Sequence, residues 1–359
     1  MNILRKTVLS LLLTAAAAMG YAQSNCFTYE DNGQTIINGL TQTGEYAESL
    51  TIPATVTRIR SGAFMYANAK KLTIYNGNPA FESPLFGNKA NTLTTIDMGN
   101  GMSVANMIAL LTSLGSGPQG TIVASGFTGN PDASNETWSS VTWTGVTSVI
   151  LPAALVGNQS FGSAEVKGRF TIAKEIISFC TNATFQDVDN GSNMLFYVAD
   201  YVDGQRIHIQ RVHYIAAGKG VLIHRTENSS GFADLPRVNG VPQASSDISL
   251  YASNMLVGVT QETYIDPTDG GKTNLVLKDG AFHPTSRGPI KANKAYLQVP
   301  TNWLTNTARL EIVFDEETVG IDNMNIYEND NCYYDMQGRK VSNPQRGLYI
   351  VKGKKVLIK

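Results

Sequence analysis

Four histidines, a few carboxylate pairs and three cysteines are the residues with which this chain could do chemistry. His208 and His213 flank one strand-like run and His224 follows the next. A zinc site would need them to converge with a carboxylate. Their spacing does not require that, and surface or satisfied core histidines are the simpler reading. His283 stands apart. The pairs Asp187/Asp189, Asp266/Asp269 and Glu316/Glu317 lie in turn-rich or linker-like sequence. A glycosidase would need two carboxylates facing each other across a cleft, and nothing places these so. Asp187-Val188-Asp189-Asn190-Gly191 alternates oxygen ligands around a turn but lacks the bidentate Glu of an EF-hand. Ala217-Gly218-Lys219-Gly220 has a phosphate-loop flavour, yet no helix pattern follows and a β-turn accounts for it. No G-x-S-x-G elbow occurs. No catalytic residue, metal ligand or cofactor site is therefore assigned, and the chain is read as a non-enzyme. Aromatic side chains remain as candidate binding residues, because they anchor many protein contacts. These are Tyr66, Tyr75 and Trp138, while Trp143 reads as core.

The elements that position them are organised around Ser49 to Ile74. Leu50 and Ile52 alternate with Thr51, which is strand spacing. Pro53 removes an amide donor and ends the strand. Val56 and Ile59 supply a second apolar pair, Gly62 permits a turn, and Ala63 and Phe64 follow. Leu72 and Ile74 then repeat the Leu50/Ile52 spacing 22 residues on, a period that suits a leucine-rich repeat. A single such unit leaves apolar surface open, so it needs stacked neighbours. The predicted repeat core is Leu50, Ile52, Pro53, Val56, Ile59, Phe64, Leu72 and Ile74.

The pattern L-x-I-P-x-x-V-T-x-I-x-x-x-A-F over Leu50 to Phe64 resembles the BspA-like leucine-rich repeats of secreted and surface proteins. That resemblance implies a short solenoid with an adhesive role. Val149, Leu151, Pro152 and Leu155 echo Leu50, Ile52, Pro53 and Val56, with Phe161 in the place of Phe64 but early. Leu93 and Ile96 suggest a further strand. Ser103 to Leu114 is the best helix pattern, with Ser103 as N-cap and Gly115 as stop. Phe27 to Ile37, around Asp31-Asn32-Gly33, reads as a capping hairpin.

From Phe170 the texture changes to strands and hairpins. Ile215 to Leu222 parallels Ile290 to Leu297, and each copy follows an Asp-Gly turn, Asp203-Gly204 and Asp279-Gly280. A duplicated hairpin unit in a β-sandwich or barrel-like pair of sheets follows from this. The block from Thr171 to Phe314 resembles a β-rich domain of secreted Bacteroidetes proteins, on Ser178-Phe179-Cys180, Ala217 to Leu222, Leu256 to Val259 and Lys294 to Leu297. The tail, with Tyr334-Asp335 before Gly338-Arg339 and then Gly347-Leu348-Tyr349-Ile350-Val351, resembles type A sorting domains of type IX secretion.

Arg5 and Lys6, the apolar run Val8 to Ala18 and the small residues Gly20 and Ala22 have the layout of a signal peptide. The expected organisation is a signal peptide at 1–22, a degenerate repeat domain at 23–169, a β-rich domain at 170–314, an acidic linker at 315–331 and a sorting-like tail at 332–359. The expected fold is mainly β, a short leucine-rich-repeat-like solenoid followed by a β-sandwich-like domain. A net charge of −1 argues against an electrostatic nucleic-acid binder. Cys26, Cys180 and Cys332 show no metal spacing, and their pairing is open. The chain thus reads as an exported binding protein whose partner is an extracellular protein or glycan, with no cofactor and no membrane span in the mature chain. A self-assembling surface component is the alternative, and a third reading, an enzyme acting on glycans or peptides, is disfavoured by the missing motifs.

Overall fold

The computed structural model describes residues 24–87, 90–124, 126, 141–172, 174–186, 194–225, 232–239, 247–304 and 309–315, and residues 333–334, 340–341, 346–351 and 354–358 of the tail. The fold is mainly β, with large sheets. The described residues up to Ile312 form one compact unit and those from Val313 a second.

After a short 3-10 turn at Ser24–Cys26, the described residues form a hairpin of β1 (Phe27–Tyr29) and β2 (Ile36–Leu40). Asp31 closes its turn, since Oδ1 accepts the N–H groups of Thr35 and Ile36, both at 2.9 Å. A single helical turn, α1 (Gln42–Glu45), is capped by the Thr41 hydroxyl. Then come β3 (Ser49–Ile52), β4 (Arg58–Ile59), β5 (Lys71–Asn76), β6 (Ala80–Phe81), β7 (Thr95–Asn100), β8 (Gln119–Val123), β9 (Gly145–Pro152) and β10 (Glu165–Thr171). From β2 to β7 the strands alternate between two walls, and β8, β9 and β10 then add to the first. The longer strands β3, β5, β7, β8, β9 and β10 pair side by side, all parallel. The short strands β2, β4 and β6 pair in parallel on the second wall.

The register explains why this arrangement holds. Leu50 pairs with Leu72, Leu72 with Ile96, Ile96 with Ile122 and Ile122 with Val149. Ile52, Ile74 and Met98 form a second inward row. Every one of these residues is buried. A one-residue slip would turn both rows to solvent, so the register is strongly specified. All eight predicted repeat-core positions are buried. Phe64 fills the corner between the walls, 6.4 Å from Phe27 and 6.0 Å from Phe86 by ring centroids. Phe161 packs edge-on to Trp143 at 4.9 Å. The expected helix is α2 (Val104–Thr112); the Ser103 hydroxyl accepts the Asn106 N–H at 3.2 Å, and Met107, Leu110 and Leu111 are buried.

The second half begins with β11 (Ile176–Phe179), β12 (Thr184–Gln186), β13 (Met194–Asp203), β14 (Arg206–Val212), β15 (Tyr214–Ile215), β16 (Val221–Arg225) and β17 (Phe232–Val238). After α3 (Asp247–Ser253) come β18 (Leu256–Val259), β19 (Thr263–Ile265), β20 (Thr268–Asp269), β21 (Lys272–Lys278), β22 (Ala281–Pro284), β23 (Gly288–Ile290), β24 (Lys294–Pro300) and β25 (Leu310–Phe314). The large sheet runs β11-β16-β13-β14-β25-β22-β21-β24-β18. It is palindromic about β25. On each side the order is first, last, second and third strand of a unit, and each unit's small accessory pair also matches: β12 with β15, and β19 with β23. Both Asp-Gly turns close the hairpins at the centre of these units, β13–β14 and β21–β22, with Gly204 and Gly280 at positive φ. The equivalent Gly218 and Asn293 also share positive φ, 73° and 60°.

The sheet curls until its ends meet. Gly258 on β18 lies against Cys180 and the backbone of Gly218 and Gly220, and the Ala295 N–H on β24 points to Ser178 Oγ on β11 at 3.4 Å. Ala199, Ile207, Ile209, Leu222, Leu275, Phe282, Leu297 and Val299 fill the inside. The opposite face of the first unit, with Phe196, Val198, Val221 and Ile223, joins the core of the parallel strands. This double burial is why Met194 to Ala199 is a continuous apolar run.

One boundary does not coincide with the change of texture. Strand β17 pairs antiparallel with β10, and β12 and β15 extend the same sheet to nine strands. The parallel sheet therefore draws on both sides of position 169/170. The tail forms a four-stranded antiparallel sheet of β26 (Tyr333–Tyr334), β27 (Lys340–Val341), β28 (Gly347–Val351) and β29 (Lys354–Ile358).

Candidate ligand-binding face

The outward rows of the nine-stranded sheet form a broad, regular surface. Alternation dictates them: if Leu50, Leu72 and Ile96 face in, their neighbours face out. One row reads Ser49, Lys71, Thr95, Thr121, Ser148, Glu165, and the next Thr51, Thr73, Asp97, Val123, Ile150, Lys167. Val123 and Ile150 form an apolar floor, 8% and 7% exposed, amid hydroxyls and charges. Three ion pairs lie on this face. Lys71 pairs with Asp97 at 3.5 Å, Lys167 with Glu165 at 3.1 Å and Arg169 with Asp234 at 2.6 Å.

The third pair is the most tightly built. Arg169 Nε and Nη2 donate to Asp234 Oδ1 and Oδ2, each at 2.6 Å. This is a bidentate fork between neighbouring strands, since Arg169 pairs with Asp234 across β10 and β17. The fork raises the Arg169 pKa, chiefly through the hydrogen bonds to Asp234, with the charge of Asp97 adding to it. The guanidinium lies over the ring of Phe232, 4.6 Å from its centroid, and that ring is 45% exposed. These three residues were not legible as a site, because 65 positions separate Arg169 from Asp234 and an antiparallel return strand brings them together. The alternation of Phe232, Asp234 and Pro236 was the available signal.

The predicted aromatic candidates are dispersed. Tyr66 is exposed at a corner beside Met65, and Tyr46 is also exposed. The Asn68 side chain ties the Tyr66 loop to the preceding one through the Glu45 carbonyl at 2.8 Å. Tyr75 lies on β5, and Trp138 falls outside the described residues. Trp143 is buried.

The histidines take separate partners. His213 approaches the buried Asp247, with Nδ1 and Oδ1 3.3 Å apart and its backbone N–H donating to Oδ2. His208 stacks on Tyr201 at 4.2 Å, and His224 lies 3.7 Å from Glu175. His283 faces Val276 in a hairpin. Among the described residues no group of three or more His, Cys, Asp or Glu side chains could hold a metal ion. Asp266 pairs with Arg287 at 3.4 Å, and Asp269 lies on the short β20. Asp187, Asp189, Glu316 and Glu317 lie outside the described residues. Ala217 to Gly220 is a turn leading into a strand, with the Lys219 N–H on the Ala216 carbonyl at 3.1 Å.

Cys26 and Cys180 are both buried. Burial pushes the Cys180 thiol up to about 11. The thiolate is the reactive form, so Cys180 is expected to resist iodoacetamide at pH 8 in the folded protein and to react once denatured. Mass spectrometry of the alkylated chain reads this directly, and rapid native labelling of Cys180 would contradict the placement. Among the described residues no helix is long and apolar enough to cross a membrane. Compared with known protein families, curated proteins and solved structures, the chain matches none.

Proposed function

We propose that the protein is an exported, non-catalytic binding protein whose contact surface is the outward face of the parallel sheet. The observation that carries the reading is the face itself: six parallel strands whose outward rows present mainly hydroxyl and ion-paired side chains around an apolar floor of Val123 and Ile150. In this proposal the parallel stack is a short leucine-rich-repeat solenoid of BspA-like type, and such repeats serve as extended contact surfaces. The signal-peptide layout of residues 1–22 places the mature chain outside the cell, secreted or on the outer surface. The partner is an extracellular protein or glycan.

The test is a panel of immobilised extracellular-matrix proteins and glycans probed with the full chain and with Thr73→Trp. Thr73 faces outward between Thr51 and Asp97, so a bulky ring there blocks the face without touching the core. Binding that Thr73→Trp abolishes supports the reading. Binding that survives it, with equal affinity, places the contact elsewhere.

The tail is the delivery signal in this reading. Deleting Tyr333 to Lys359 is expected to leave the chain in the periplasm of a type IX-competent host, as read by cell-surface protease accessibility. Normal surface delivery of the truncated chain would refute that role.

A second reading, self-assembly, rests on one feature. Strand β3 ends the nine-stranded sheet as an uncharged four-residue edge, whereas the opposite end is the two-residue β15. Open, uncharged edges are templates for strand pairing. Light-scattering mass across concentration decides it: a dimer or larger assembly favours this reading, and a monomer removes it.

A further inference from the structure

We infer that the ligand is an uncharged oligosaccharide, seated on Phe232, Arg169 and Asp234 and running across the hydroxyl rows toward Lys71. This rests on the reading that the outward face is the contact surface, and it names the ligand class.

Composition separates the two partner classes. Protein interfaces are enriched in large aromatics, Met and Arg at their centre and depleted in Ser, Lys, Glu and Asp. Phe232 and Arg169 are of the first kind, but the outward rows beside them hold mostly the second: Ser49, Thr51, Thr73, Thr95 and Thr121 with Lys71, Asp97, Glu165 and Lys167, around the buried Val123 and Ile150. Short hydroxylated side chains let a flat polar polymer approach the backbone closely, and they offer it both donors and acceptors.

Charge narrows the class further. Among the described residues of these rows each cation is matched by a carboxylate, in the pairs Lys71–Asp97, Lys167–Glu165 and Arg169–Asp234. These charges sum to zero, so the rows do not concentrate positive charge that would draw in a polyanion. A sulfated or uronic-acid polymer would meet three carboxylates and gain little. A neutral polyol loses nothing by this balance.

The end of the face supplies an anchor. A sugar ring has an apolar C–H side and a rim of hydroxyls. Phe232 offers a half-exposed ring for the first, and the Arg169–Asp234 fork stands beside it for the second. A carboxylate has about four acceptor positions, so Asp234 can take sugar hydroxyl protons while holding Arg169. The fork is fixed in place by paired strands and by its own two hydrogen bonds, so little side-chain entropy is lost on binding.

The test uses affinity electrophoresis and calorimetry of the full chain against laminarin, yeast mannan, xyloglucan and dextran, with heparin and alginate as acidic probes and fibronectin as a protein probe. At least one neutral glycan is expected to bind, with affinity unchanged within twofold between 0.05 and 0.5 M NaCl, a range over which exposed charges are progressively screened. Phe232→Ala and Asp234→Asn are each expected to weaken it at least tenfold. Arg169→Lys keeps the charge but loses the fork, and is expected to weaken it likewise. Thermal unfolding of each variant within a few degrees of the parent excludes misfolding as the cause. Tyr66→Ala is expected to bind as the parent does. Three outcomes overturn the inference. Binding only to heparin or alginate, lost at high salt, or binding only to fibronectin would each do so, and if Thr73→Trp abolished that binding the outward face would still stand as the contact surface. Failure of all four neutral glycans to bind is the third.

Discussion

Replacing Leu50 and Ile52 together by Asp is expected to unfold the parallel sheet. Both side chains are essentially inaccessible, 1% and 0% exposed, and both belong to inward rows that continue through Leu72 and Ile74. A carboxyl group at either position has no polar partner. It must enter the core ionised and unpaired, or protonate and remain unbonded, and both are costly. Single substitutions of this kind reach about 4–5 kcal/mol, and a typical domain has only about 5–15 kcal/mol in total. Two adjacent ones exceed what the fold can absorb. The same core includes Phe170, Phe196 and Val221, so loss of the parallel strands should also loosen the first half of the curled sheet. Far-ultraviolet circular dichroism and thermal melting read this: the expected result is no cooperative transition above room temperature. A parent-like melting curve would show that the two residues are not in a core.

The second large effect is at the seam where the curled sheet closes. A Cβ on Gly258 would lie 2.5 Å from Cys180 Sγ, 2.8 Å from the Gly218 carbonyl oxygen and 2.9 Å from the Gly220 nitrogen. Two of those three atoms are backbone, so no side-chain rotation relieves the clash. Gly258→Ala must therefore push β18 away from the turn before β16. Overpacking of this sort costs about 1–3 kcal/mol, and the rigid backbone neighbours put this case at the upper end. For a domain of this size the corresponding fall in Tm is about 5–10 °C. Gly204→Ala is the matched control. It has open space around it but φ of +59°, so it measures backbone strain alone and is expected to cost about 1 kcal/mol. Equal melting temperatures for the two variants would contradict a closed seam.

Much of the first half was legible because its signal is local and periodic. Leu50-Thr51-Ile52, its return at Leu72 and Ile74 and its echo at Val149 and Leu151 all lie in one parallel register. Ser103 capped its helix as its type and position imply. The Asp-Gly turns were legible for the same reason, since few residue pairs accept positive φ in a tight hairpin. What could not be read is long-range. Nothing local tells β17 to return antiparallel to β10, or tells β12 and β15 to extend a sheet begun at Ser49. The palindromic order around β25 depends on which strands pair, and only the duplicated segments hinted at it. The candidate binding site shows this limit most plainly. Tyr66 was conspicuous as an aromatic, whereas Arg169, Phe232 and Asp234 look ordinary until two strands meet.

The most direct measurement is hydroxyl-radical footprinting of the full chain with and without its best-binding partner from the panel. Met, Tyr and Phe are read by this chemistry, and exposed examples lie on both surfaces: Phe232 at the end of the outward face, Met65 and Tyr66 at the corner. The expected result is strong protection of the peptide bearing Phe232 with Met65 and Tyr66 unchanged. Protection of Met65 and Tyr66 with Phe232 still reactive would contradict the outward face of the parallel sheet as the contact surface.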